Sequence, residues 1–184
     1  MKITETEKKK TGELPSKIPD NIIDLHSKFR GKIDGVYSYI KELHDKTNPK
    51  NVPGIKGLDW SKWRKLRDMH KATQGFMNVY KEVHPITLNE VVFYKFLPLL
   101  VSTRRMVLVD WFHWILKSIN EIEQLKYELI KERQEITREG ASKELLKHYD
   151  YLINKLLDTE TMTLFEDLKQ IYHTIIVTSQ NLKK

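Results

Sequence analysis

Few residues in this chain have the types and spacing that catalysis or metal binding requires. Asp110 and His113 stand at i and i+3, the carboxylate–histidine spacing of metal sites inside helical bundles. A di-iron site needs a second such element and further glutamates, and the chain supplies none. Arg64 and His70, with five residues between them, form an arginine–histidine pair of the kind that helical nucleases use. His26, His44, His84, His148 and His173 are scattered without ligand spacing. Glycine-rich phosphate loops and nucleophile elbows are absent. The chain has no cysteine, which excludes disulfides, thiolate zinc sites and cysteine nucleophiles. A non-enzyme with no metal and no cofactor is expected.

Charge placement is more informative. Residues 1–84 hold 18 Lys/Arg and 11 Asp/Glu, whereas residues 85–184 hold 14 of each, so the whole net charge of +7 lies in the first part. A surplus confined to one region suits a polyanion, either nucleic acid or an acidic surface. It is concentrated in "LDWSKWRKLRDMHKATQ", residues 58–74. On a helical wheel Leu66, Met69, Thr73, Phe76, Met77 and Tyr80 share an apolar face. Arg64, Arg67 and Lys71 fall on the opposite side, with Lys65 beside them.

The elements that must position these residues follow from periodicity and breakers. Residues 1–19 read as an arm carrying Lys8, Lys9 and Lys10, then Gly12, Pro15 and Pro19. Asp20 caps a helix whose apolar residues run from Ile22 to Leu43. Opposite that stripe Ser27, Gly31, Gly35 and Ser38 line up. Two helical glycines cost about 1 kcal/mol each relative to alanine, so a close neighbour should compensate for them. That neighbour is either another helix or a sugar-phosphate backbone. Lys28 and Lys32 border the stripe on one side, Arg30 and Lys41 on the other.

A breaker-rich loop follows, and Asp59 caps a second helix to about Val83. Thr87 and Glu90 form a capping box for a third helix, which Pro98 kinks or divides, and helical periodicity continues to about Glu139. Gly140 stops it. Helices over about Ser142–Leu157 and Thr163–Ser179 complete an all-α bundle of four to six helices with an extended basic N-terminal arm. The stretch around Leu99–Lys117 is apolar over half its circumference or more, as at a subunit interface. Arg104 and Arg105 fall within that sector, where they either meet anionic partners or snorkel to solvent. The N-terminus lacks the apolar run of a signal peptide. Charges and Pro98 interrupt residues 91–116, arguing against an ordinary membrane span.

The arm "EKKKTGELPSKIP", the glycine-striped helix "DNIIDLHSKFRGKIDGVYSYIKEL", the Trp60–Lys71 segment and the neutral remainder resemble, as architecture, the major coat proteins of filamentous archaeal viruses, the rudivirus and lipothrixvirus group. The resemblance implies a structural protein that wraps double-stranded DNA without sequence preference in a helical virion. It further implies A-form DNA, a dimer with a related coat protein or with itself, and in lipothrixviruses a lipid envelope. Residence would be in the virion, and in the host cytoplasm during assembly. The expected organisation is an arm (1–19), a DNA-wrapping region (20–84) and a subunit-packing bundle (85–184). Expected DNA contacts are Lys8, Lys9, Lys10, Lys28, Arg30, Gly31, Lys32, Gly35, Arg64, Lys65, Arg67 and Lys71. The alternatives are a non-enzymatic adaptor for an acidic protein or membrane surface and, on the Arg64–His70 spacing, a HEPN-like ribonuclease.

Overall fold

The computed structural model describes residues 17–55, 63–99 and 106–183. Nearly all of the expected arm, including Lys8, Lys9 and Lys10, lies outside the described residues, as do Asp59, Trp60, Arg104 and Arg105. Among the described residues there are six α-helices and no strand: α1 (Asp20–Thr47), α2 (Arg64–Ile86), α3 (Glu90–Phe96), α4 (Met106–Arg138), α5 (Lys143–Tyr151) and α6 (Thr159–Lys183). The architecture is an all-α bundle, as the periodicity predicts. No helix among the described residues is long and apolar enough to cross a membrane.

The apolar stripe of α1 is its spine. Ile22, Phe29, Ile33, Val36, Ile40 and Leu43 are all essentially inaccessible to water, and burying each such side chain contributes about 1.5–3 kcal/mol. This stripe packs against α2 on one side and α6 on the other, while α2 and α4 share the most extensive helix–helix contact. Phe29 sits edge-on to Tyr172 of α6 and stacks with Phe93 of α3. Residues 84 and 85 both lie inside α2, and residues from before and after them contribute to one core.

Several helix ends differ from the expected caps. α1 follows Pro19, with Asp20 inside its first turn rather than capping it. Thr87 is buried and closes the C-terminus of α2 by donating to the Val83 carbonyl. Asn89 caps α3 in its place, accepting from the Val92 N–H. Pro85 does not end α2, which runs to Ile86. The last helix begins at Thr159, four residues before the expected Thr163, and the Asp158 carboxylate accepts from the Thr161 N–H. Lying in the first turns, the Thr163 hydroxyl donates to the Thr159 carbonyl. Ser142 caps α5, accepting from the Leu145 N–H, and a π-helical turn over Leu152–Leu156 extends it.

Two glycines distinguish necessity from permissiveness. Gly54, at φ 71°, lies so close to α5 that an added Cβ would stand 2.1 Å from the Ser142 Oγ. Gly31 has open space where its Cβ would be. Gly54→Ala should therefore destabilise by about 2 kcal/mol or more. Gly31→Ala should stabilise by up to about 1 kcal/mol. Urea unfolding midpoints measure both, and equal shifts would contradict this account of the loop.

Candidate polyanion-binding surface

Three of the five cations of α1, Lys28, Arg30 and Lys32, are paired within the chain. The Lys28 ammonium lies 3.0 Å from Asp24 and that of Lys32 lies 3.0 Å from Asp167 on α6. Arg30 is held more firmly: its guanidinium is 3.3 Å from Asp34, 3.1 Å from the His84 Nδ1 and 3.4 Å from the Thr87 hydroxyl. These contacts join α1 to the end of α2. The glycine stripe also has an internal explanation in part. An alanine Cβ at Gly35 would stand 3.3 Å from the Leu164 Cδ2, so the close neighbour there is the chain's own α6.

The start of α2 is built differently. Trp63 occupies the N-cap position and its side chain caps nothing. The Glu132 carboxylate from α4 does so instead, accepting from the Lys65 N–H at 2.8 Å, the Leu66 N–H at 3.1 Å and the Tyr149 hydroxyl at 2.8 Å. Glu132 is 4% exposed. Burial raises its pKa, and the three hydrogen bonds only partly oppose that shift. A carboxylate in this place satisfies two otherwise unpaired helical donors and meets the positive end of the helix dipole. Any phosphate approaching the α2 N-terminus would find that position filled. Lys65 turns the same way, its ammonium 2.9 Å from Glu128.

What remains is the outward face of α2. Arg64, Lys71, Gln74, Asn78 and Lys81 are exposed, and Arg67 is half-buried with its guanidinium 5.6 Å from the centre of the Trp63 ring. Arg64, Lys71 and Lys81 have no ion pair among the described residues. These six positions form a stripe about 100° wide. It extends about 26 Å at about 1.5 Å per residue. Asp68 and Glu82 lie toward one edge of it. Gln74 donates to Asn78 at 2.8 Å, ordering the amides between the cations.

Of the expected contacts, the structure therefore brings Arg64, Arg67 and Lys71 together, and turns Arg30, Lys32 and Lys65 into internal pairs. Gln74, Asn78 and Lys81 extend the surface beyond what the sequence reading named. Their spacing at i+3, i+7 and i+10 from Lys71 was the available signal. The described stretches carry 23 Lys/Arg and 21 Asp/Glu, so most of the surplus lies in residues 1–16, 56–62, 100–105 and 184.

Arg64 and His70 are not brought together. Arg64 faces outward, whereas His70 packs on α1 with its ring stacked on His44, centroids 4.1 Å apart and planes 14° apart. The His70 Nδ1–H donates to the His44 carbonyl at 3.0 Å. His113 is exposed, and the Asp110 side chain lies outside the described residues. Among the described residues no group of three or more acidic or histidine side chains is placed to hold a metal. Compared with family models, with curated proteins and with solved structures, the chain shows no match.

Two stability measurements follow. Glu132→Ala leaves two helical N–H groups and a buried phenol without their acceptor, and should cost about 3 kcal/mol in urea unfolding; a wild-type midpoint would refute the capping role. The His44 pKa is lowered, first by burial and then by the facing His70. The unfolded chain then takes up that proton first, so stability should fall as pH drops below 6.5 through the depressed folded value, and level off beneath it. His44→Gln should flatten that part of the profile relative to wild type, as read from unfolding midpoints between neutral and mildly acidic pH.

Proposed function

We propose that this protein is a non-enzymatic structural protein that holds double-stranded DNA by its phosphate backbone, a packaging coat subunit of a filamentous virion, and that the outward face of α2 is its folded contact surface. The observation that carries this reading is the contrast between two helices. Lys28, Arg30 and Lys32 of α1 are paired with acids of the same molecule, while on α2 Arg64, Lys71 and Lys81, which have no ion pair among the described residues, share one stripe with Arg67, interleaved with Gln74 and Asn78.

Such a stripe suits phosphates. Guanidinium and ammonium groups supply charge, and the amides donate further hydrogen bonds to phosphate oxygens. None of these groups is arranged on a recognition helix paired with a second helix in a turn, so contacts would position the duplex without reading its bases. The Lys8–Lys10 run, Lys56, Lys62, Arg104 and Arg105 add cations in segments outside the described residues. Together they supply the diffuse positive charge that non-specific DNA binding requires. An adaptor for an acidic membrane would use the same charges, so anionic vesicles are the comparison ligand.

Affinity of the full chain for mixed-sequence duplex DNA should fall steeply with salt, each phosphate contact contributing about 0.9 to the log–log slope. Replacing Arg64, Arg67 and Lys71 together by glutamine should reduce that slope by about 2.7 and weaken binding equally across sequences. Fluorescence anisotropy at several salt concentrations measures this, with the unfolding midpoint confirming that the variant is folded. A flat salt response, an unchanged slope, or binding to anionic vesicles with none to DNA overturns the proposal.

A further inference from the structure

On the flank of α2 away from α1, a groove of about 800 Å³ runs between α2 and α4. Its floor is apolar, with Ala72, Leu116 and Leu125, and its rim carries charges of both signs: Asp68 and Lys71 on α2, Lys117 and Glu121 on α4. Elsewhere on this molecule opposite charges close to one another are joined, as in Lys65–Glu128, Arg133–Asp150 and Lys169–Glu123. Among the described residues, none of the four rim charges has an ion pair.

The order of charges along α4 explains why Lys117 and Glu121 stay apart. A lysine four residues before a glutamate is the weaker of the two helical arrangements. The Lys117 ammonium instead lies 4.3 Å from the centre of the Trp114 ring, which is itself 47% exposed. The outward lining of α4 (His113, Leu116, Lys117, Asn120, Glu121 and Gln124) is centred near residue 119. A two-fold axis perpendicular to the helix between residues 119 and 120 brings Lys117 of one copy to within about one residue's rise of Glu121 of the other, does the same for Leu116 and Gln124, and sets Asn120 close to itself. His113 would then lie near Tyr127, which is 65% exposed.

From this self-complementary pattern we infer that the groove-lining face of α4 is an isologous interface between two copies of the chain, the two α4 helices crossing antiparallel with Lys117 of each copy on Glu121 of the other. A closed two-fold contact makes every such pair twice. Desolvation by the apolar floor strengthens the pairs beyond what exposed surface charges contribute. The occupant is a second copy rather than a uniformly charged ligand because the rim carries balanced charge. The inference does not rest on DNA binding.

The test uses the full chain without nucleic acid, in sedimentation equilibrium. Wild type should dimerise. Lys117→Glu and Glu121→Lys should each weaken the dimer more than about tenfold, because each places like charges opposite one another twice. The double exchange K117E/E121K should restore it, and so should mixing the two single variants, which rebuilds both opposite-charge pairs in a heterodimer. Both positions are solvent-exposed, and circular dichroism checks that each variant keeps its helix content. A wild-type monomer, or a dimer indifferent to the single exchanges, or single exchanges that neither the double variant nor the mixture rescues, overturns the inference.

Discussion

The Glu132 carboxylate ties together the two helices that share the largest contact. α2 begins at Arg64 with no capping side chain of its own, and a helix terminus buried without partners for its first N–H groups is costly. Glu132 reaches across from α4 and supplies the acceptor, and Tyr149 fixes its second oxygen from the α5 side. One buried anion thereby sets the register of α2 against α4 and holds α5 to both. Its raised pKa means that this arrangement carries a desolvation cost which hydrogen bonding does not fully offset. The apolar packing around it must supply the remainder.

That constraint also decides where a polyanion can sit. With the Glu132 carboxylate in its N-terminus and Glu128 holding Lys65, the α4-facing start of α2 has its helical donors and one of its cations already taken. The opposite side of the helix is given to α1 and the core. Only the outward arc is left, and there Arg64, Lys71 and Lys81 have no ion pair among the described residues. On α1 the same residue types have a different use, since Arg30 and Lys32 bind that helix to α2 and α6. Cations that look equivalent along the chain thus divide into those that hold the bundle and those that remain open to a partner.

The helices themselves were legible because their apolar residues recur with the helical period, and Gly140, at φ 82°, stops α4 where the reading placed it. Caps were less legible. Thr87–Glu90 and Thr163–Glu166 have capping-box spacing, yet Asn89 and Asp158 do the capping, because the local hydroxyl has alternative acceptors one turn back. The pairing of cations on α1 was partly readable: Asp24 and Asp34 stand four residues from Lys28 and Arg30 on the same helix. The partner of Lys32 was not, since Asp167 is 135 residues distant.

From sequence alone came the helical class, the buried stripes, and the concentration of positive charge before residue 85, because periodicity and composition are properties of the chain whatever it folds against. Which cations stay free was settled only by tertiary packing. An ion pair depends on distances between elements far apart in the chain, and no local pattern encodes them. The same holds for the start of α2, whose cap lies 67 residues away, and for the Gly35 approach, which α6 fills. Short-range geometry belongs to the sequence, and the assignment of each charge to an inner or an outer partner belongs to the fold.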